Sequence, residues 1–175
     1  MEINEAEFDN LLRLFKRSAF RMETRSSYAL GYERKDFERF LIGLPTPPPD
    51  LDWWRPWLEQ IARLTREGKS IRRVRLLDSP ASDYQRWEAW GGRWNMAAGE
   101  RISYLPREWA GRLKLPQDHD WWLLDDERVI RIWFTGEGEI DRKILTDDPG
   151  TVARYLKWRD LAVRNAIAAE DYAAA

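Results

Sequence analysis

The stretch IRRVRLLDSPASDYQRWEAWGGRW, residues 71–94, sets the fold class of this chain. Its first part is rich in β-branched or bulky residues and predicts a strand over residues 71–77. Ser82 and Gln85 then match a capping box and predict a helix start, while Ser79-Pro80 is a competing start. A strand followed closely by a helix is typical of an α/β protein.

The helix predicted after that strand carries aromatic residues at helical spacing, namely Tyr84, Trp87, Trp90 and Trp94. Gly91 and Gly92 interrupt this helix, and each costs about 1 kcal/mol relative to alanine. Their presence predicts close packing or a kink near Trp90 and Trp94. Gly99 is expected to end the helix.

Elements on both sides of this stretch complete a mixed sheet with packed helices. Toward the N-terminus the patterns predict a helix over 8–15, a strand or loose hairpin in 19–32, a short helix near 37–41 and a helix over 54–64 that Asp52 caps. Toward the C-terminus they predict strands over 101–105, 121–124, 129–134 and 139–145, a loop that carries Trp109, and a helix from Asp148 to about Ala169. The last three strands are expected to form a meander.

The length of 175 residues predicts a single domain over 1–175. Four prolines between Leu44 and Asp50 predict a stiff connector. This connector is expected to separate an N-terminal helical and strand appendage, residues 1–50, from the main α/β body, residues 51–172.

Composition excludes several functional classes. The chain has eleven tryptophans, no cysteine and one histidine, so a disulfide framework or a thiolate metal site is excluded, and we expect no metal or cofactor. A net charge of −1 with interspersed charges argues against direct nucleic-acid binding. The start MEINEAEFDN lacks a signal-peptide pattern and no apolar run is long enough for a membrane, so a cytoplasmic protein is expected.

Five stretches resemble the actinobacterial domain-of-unknown-function family 6879: residues 18–24, 72–77, 83–88, 95–102 and 120–126. The resemblance covers about residues 8 to 172. It implies a stand-alone α/β domain with a phospholipase-D-like fold, often encoded beside helix-turn-helix regulators of development. It implies no established activity.

Two catalytic arrangements are weakly represented. A phospholipase-D site needs a His-x-Lys-x4-Asp motif, but the single His119 has Trp121 in place of the lysine. Asp141 and Lys143 share a strand face, and Asp125-Asp126 lie upstream, which is an arrangement found in metal-dependent nucleases. The alternative is that these residues keep an edge strand soluble. We therefore expect no catalytic residues.

A ligand site is predicted where the strand over 71–77 meets the following helix, because ligands of open α/β sheets bind beyond the carboxyl ends of strands and a helix N-terminus favours anions. The candidate ligand-binding residues are Arg73, Arg75, Asp83, Tyr84, Arg86 and Glu100. The alternative is a buried structural network in which the arginines pair with Glu88 or Glu100 and Tyr84 belongs to the core.

Two tryptophans are candidates for an interface. Trp158 lies to one side of the apolar stripe of its helix, and Trp53 stands beside Trp54. We expect a non-catalytic regulatory or sensory domain that binds a protein partner, such as a helix-turn-helix transcription regulator. A small anionic ligand is expected to gate this binding. The sequence does not decide whether the protein is a homodimer. The alternative is an enzyme that acts on phosphodiesters or nucleotides.

Overall fold

The protein is a seven-stranded mixed sheet with helices packed on both faces. The structure is a computed structural model, which describes residues 1–172. The helices are α1 (Glu5–Leu14), α2 (Arg34–Leu41), α3 (Arg55–Arg66), α4 (Asp83–Ala98), α5 (Arg107–Arg112) and α6 (Pro149–Asn165). The strands are β1 (Ser18–Glu23), β2 (Ser70–Leu77), β3 (Arg101–Pro106), β4 (Asp120–Leu124), β5 (Arg128–Phe134), β6 (Ile140–Thr146) and β7 (Ile167–Ala168).

The strand order is β6-β5-β4-β1-β2-β3-β7. Strands β1, β2 and β3 are parallel, and the other pairings are antiparallel. The predicted mixed sheet with a C-terminal meander, β4-β5-β6, is confirmed. Residues 1–50, expected to form an appendage, supply β1 at the centre of this sheet.

Several predicted boundaries were wrong for local reasons. The helix α3 begins at Arg55 without a side-chain cap, because Asp52 pairs with Arg55 instead of capping. Trp109 lies in the short helix α5 and not in a loop. The predicted helix to Ala169 ends at Asn165, where the backbone becomes extended and β7 pairs with β3.

The start of α4 follows the capping-box prediction. The Ser82 hydroxyl accepts a hydrogen bond from the backbone N–H of Gln85, and the Gln85 side chain accepts one from the backbone N–H of Ser82. Gly99 ends the helix in the left-handed region, at φ +116°. The competing start at Ser79-Pro80 is therefore not used.

The two faces of the sheet differ in polarity. On one face, residues of β1, β2 and β4 such as Met22, Val74 and Trp121 form an apolar core with α5 and α6. Alternate residues point to the other face, where α1, α3 and α4 pack. In the centre of that second face the strands carry buried charged side chains.

Close approach of α3 and α4 explains Gly91. A Cβ atom built there would lie 2.9 Å from Cζ2 of Trp54, and the Trp54 ring is held because its Nε1 donates to Asn95 Oδ1 at 3.0 Å. Gly91→Ala is expected to reduce the free energy of unfolding by about 1–3 kcal/mol through overpacking. Urea unfolding measures this, with Gly136→Ala, which meets no atom within 4 Å, as the control. Wild-type stability in Gly91→Ala would contradict the packing.

Candidate functional site

The site begins with Glu23 at the end of β1, where one carboxylate meets three guanidinium groups. Its Oε1 accepts hydrogen bonds from Arg73 Nη1 at 2.5 Å and from Arg21 Nε at 2.9 Å, and its Oε2 accepts one from Arg75 Nε at 2.5 Å. Glu23 is only 5% exposed. The register brings these groups together, because Arg21 lies opposite Arg73 and Glu23 opposite Arg75 in the parallel β1–β2 pair.

A second layer of carboxylates neutralises the arginines of β2. Arg73 Nε donates to Glu100 Oε1 at 2.7 Å, and Glu100 Oε2 also accepts from Asn95 Nδ2 at 2.8 Å. Arg75 Nη2 lies 3.4 Å from Glu88 Oε1 on α4, and Arg75 Nη1 donates to the Glu88 carbonyl at 3.1 Å. The helix α4 is thereby tied to the sheet by buried charges.

Asp120 plays the same part for Arg21, whose Nη2 donates to Asp120 Oδ2 at 2.9 Å. The Asp120 carboxylate also accepts from the backbone N–H and hydroxyl of Thr24, and from the hydroxyl of Tyr28 at 2.7 Å. We call the following residues the ion network: Arg21, Glu23, Arg73, Arg75, Glu88, Glu100 and Asp120.

A cavity of about 400 Å³ lies over the ion network. Arg21, Glu23, Arg73, Arg75 and Glu88 line its floor. Its walls are largely aromatic and include Tyr28, Tyr32, Trp53, Trp57, Trp122 and Phe134. We call this space the aromatic cavity. Its volume falls in the range of about 300–1,000 Å³ that is typical of small-molecule sites.

The mouth of the aromatic cavity is formed by residues just before α2 and α3. Tyr32 is 59% exposed, and its ring centroid lies 5.2 Å from that of Trp53. Trp53 Nε1 donates to Asp36 Oδ2 at 2.8 Å, which fixes the indole against α2. Glu33 also lines the cavity and accepts a hydrogen bond from the Tyr84 hydroxyl. Trp53, predicted as an interface residue, is thus a half-buried part of the cavity wall.

The structure brings some of the predicted ligand-binding residues together and leaves others apart. Arg73, Arg75 and Tyr84 line the aromatic cavity, and Glu100 lies behind Arg73. Asp83 and Arg86 are exposed and pair with each other on the outer side of α4. They do not line the cavity, because the helix turns them away from the face that carries Tyr84.

The centre of the site, Arg21 and Glu23, was not predicted from the sequence. Arg21 and Glu23 alternate with the apolar Phe20 and Met22 along β1, as Arg73 and Arg75 alternate with apolar residues in β2. Two strands with charges on one face and apolar residues on the other were the available signal. No local pattern indicated that Asp120 belongs to the site, because it lies 96 residues along the chain from Thr24, from whose backbone N–H it accepts a hydrogen bond.

The family with the description "Domain of unknown function (DUF6879)" matches residues 6–174. The chain belongs to this family. No curated protein matches the chain significantly. The match spans nearly all of the chain, including every residue of the ion network.

Among solved structures, the DUF6879 domain is similar to NucT from Helicobacter pylori, with a TM-score of 0.50 and 10% sequence identity. The similarity covers 96% of each chain. At this identity the likeness concerns the fold alone, and it confirms the phospholipase-D-like α/β fold.

The catalytic candidates of the DUF6879 domain lie apart from one another. His119 is on the opposite sheet face, stacked on Trp133, and its Nε2 lies 2.7 Å from the Tyr155 hydroxyl. Asp141 is exposed and pairs with Arg142, whereas Lys143 is buried and pairs with Glu5. Within residues 1–172, no group of three or more His, Cys, Asp or Glu side chains is arranged to hold a metal ion.

Trp158 packs on the edge of the core and keeps one side in solvent. Its ring meets that of Tyr155 edge-on, with 4.8 Å between the ring centroids. It therefore contributes to the packing of α6, and its partner-binding role stays a prediction. As for membranes, none of the helices in residues 1–172 has the length and apolarity that a span requires.

The pKa values of the site carboxyls are shifted in opposite directions, although burial raises all of them. Burial would raise the pKa of Glu23, but Arg73, Arg75 and Arg21 together hold it well below its usual range. Burial raises the pKa of Glu88 to about 8, because Arg75 offsets burial only in part and Glu23 adds repulsion. Burial likewise raises the pKa of Glu33 to about 7.

The raised pKa of Glu88 predicts a loss of stability at alkaline pH. A carboxyl whose folded pKa lies above its unfolded value stabilises the fold below the unfolded pKa, and this contribution is lost as the pH rises toward about 8. Glu88→Gln should match wild type near pH 5 and exceed its free energy of unfolding by about 1 kcal/mol or more near pH 9. Urea unfolding at both pH values is the measurement, with the exposed Glu108→Gln as control. Parallel pH profiles for wild type and Glu88→Gln would refute the assignment.

Proposed function

We propose that this DUF6879 domain is a non-catalytic regulatory or sensory domain that binds a small ligand in the aromatic cavity. The observation that carries the proposal is a ligand-sized cavity whose charged floor is already engaged internally. An enzyme needs a group that is free to attack or to move a proton. In the floor of this cavity each arginine is paired with a carboxylate, so these side chains already have partners within the protein.

A protein partner completes this proposal. The resemblance to stand-alone domains encoded beside helix-turn-helix regulators makes a transcription regulator the partner that we propose. The cavity mouth is built on residues of the segments that precede α2 and α3, so an occupied cavity would hold these segments in one position. The exposed side of Trp158 is the proposed partner anchor on α6.

The second candidate is an enzyme that acts on phosphodiesters or nucleotides. The observation that favours it is the likeness in fold to the NucT nuclease. Its chemistry would have to come from Arg73, Arg75 and Glu88 in the cavity floor, since His119 lies on the other face of the sheet.

Two measurements separate these functions. Native mass spectrometry of the purified chain should detect a non-covalent small molecule that Trp57→Ala releases and that the control Trp109→Ala, an exposed tryptophan on α5, retains. Assays with DNA, RNA and a model phosphodiester, with and without Mg²⁺ or Mn²⁺, should show no turnover. Cleavage that disappears in Glu88→Gln or Asp141→Ala would establish the enzyme instead.

A further inference from the structure

The charge balance of the aromatic cavity determines what it can bind. The cationic side chains in the lining are Arg21, Arg73, Arg75 and Lys143. Each has a carboxylate partner: Arg21 pairs with Asp120, Arg73 with Glu100, Arg75 with Glu88 and Lys143 with Glu5, while Glu23 bridges the three arginines. Among the described residues, the lining therefore offers an anionic ligand no cation that is free of a carboxylate.

Carboxylates are in excess around the same space. The lining contains Glu5, Glu23, Glu33 and Glu88, and two further carboxylates, Glu100 and Asp120, lie directly behind the arginines. Six carboxyl groups thus face four cationic side chains. Burial is the largest cause of the raised pKa of Glu33 and of Glu88, and the neighbouring arginines offset it only in part.

Among the carboxylates that line the cavity, Glu33 is the one without a cationic partner in the described residues. Its hydrogen-bond partner is the neutral hydroxyl of Tyr84. It lies at the cavity mouth beside Tyr32 and Trp53, whose ring centroids are 5.2 Å apart. A carboxylate next to aromatic faces is the environment that attracts an organic cation, because the ring quadrupoles and the negative charge act together.

Further aromatic pairs continue this environment into the cavity. The rings of Trp57 and Trp122 lie 6.1 Å apart between centroids, and those of Tyr28 and Phe134 lie 5.1 Å apart. Trp122 already has the Arg21 guanidinium 5.3 Å from its ring centroid, so a wall ring in this chain accepts a cation on its face.

We propose that the aromatic cavity selects a small organic cation of the quaternary ammonium type, whose charge meets Glu33 between the aromatic walls. This inference rests on the proposed ligand-binding function and replaces the anionic ligand expected from the arginines of β2. The arginines hold the floor together, and the ligand is recognised by the mouth and the walls.

Calorimetric titration of the full chain with four probes tests the sign of the ligand charge. The probes are tetramethylammonium, choline, its neutral carbon isostere dimethylbutanol, and inorganic phosphate. Tetramethylammonium and choline are expected to bind with a Kd below about 10 mM, and roughly ten-fold or more tightly than the isostere or phosphate. Equal or tighter binding of phosphate or the isostere would overturn the cation while leaving a ligand-binding cavity. A lack of binding by both cations in that range would also overturn it, and the phosphodiester assays decide the proposed function separately.

A matched pair of variants locates the charge. Glu33→Gln removes the carboxylate at the mouth, whereas Glu38→Gln removes an exposed carboxylate of α2 that pairs with Arg34. Glu33→Gln is expected to weaken choline binding by roughly ten-fold and to leave thermal unfolding near wild type, while Glu38→Gln keeps wild-type affinity. Equal affinities in wild type and folded Glu33→Gln would show that Glu33 does not carry the recognition.

Discussion

Replacing Glu23 by alanine is expected to reduce the free energy of unfolding by about 3–5 kcal/mol, because three buried arginines lose the carboxylate that they share. Glu23 accepts hydrogen bonds from Arg21, Arg73 and Arg75, whose side chains are at most 14% exposed. The remaining carboxylates, Asp120, Glu100 and Glu88, each pair with only one of the three arginines. Urea unfolding at neutral pH is the measurement.

The control for Glu23→Ala is Glu127→Ala, since Glu127 pairs with Arg17 in solvent, where an ion pair contributes about 0–1 kcal/mol. Glu23→Gln keeps the shape and one acceptor oxygen, so it is expected to fold and to lose less stability than Glu23→Ala. If Glu23→Ala is no less stable than Glu127→Ala, the ion network does not hold the sheet face together.

Replacing Asp125 by alanine is expected to cost about 3 kcal/mol, because its carboxylate satisfies three backbone N–H groups at the start of β1. Asp125 is 1% exposed, and its oxygens accept from the N–H groups of Lys16, Arg17 and Ser18 at 2.6–3.1 Å. Burial raises the pKa of Asp125, but these hydrogen bonds hold it below its usual value. Its contribution is therefore present above the unfolded pKa and is lost as the pH falls through the folded pKa.

Asp126→Ala is the matched control for Asp125→Ala. Asp126 has the same side chain and the same left-handed backbone, with φ +63° against +57°, but its carboxylate pairs with Arg159 near the surface. It is expected to cost under about 1 kcal/mol. Equal losses in the two variants would assign the effect to backbone conformation and not to the hydrogen bonds of Asp125.

The elements of the fold were predictable where a local pattern decides them. The capping box at Ser82, the left-handed Gly99 and the meander strands follow from nearest-neighbour chemistry. The central position of β1 does not, because it depends on pairing with β4 at a distance of about a hundred residues along the chain.

For the candidate site, the sequence indicated Arg73, Arg75 and Tyr84 but supported both a ligand pocket and an internal network. The structure contains the internal network, which forms the floor of a cavity, and ligand binding in that cavity stays a proposal. Asp83 and Arg86 illustrate the limit of sequence proximity: a helix start places neighbouring residues on opposite sides. The aromatic walls come from segments that are far apart in the sequence, and no local pattern joins them.

The insertion of β1 between β2 and β4 has a consequence for synthesis on the ribosome. The strand pairs with β2 through Glu23 and Arg75, but its other neighbour is complete only when Leu124 has emerged. Until then the nascent chain presents an unpaired strand edge with Arg21 and Glu23 uncovered, and such edges invite pairing with other chains. Because of this strand order, slow elongation between β2 and β4 would lengthen the time for which β1 can pair wrongly.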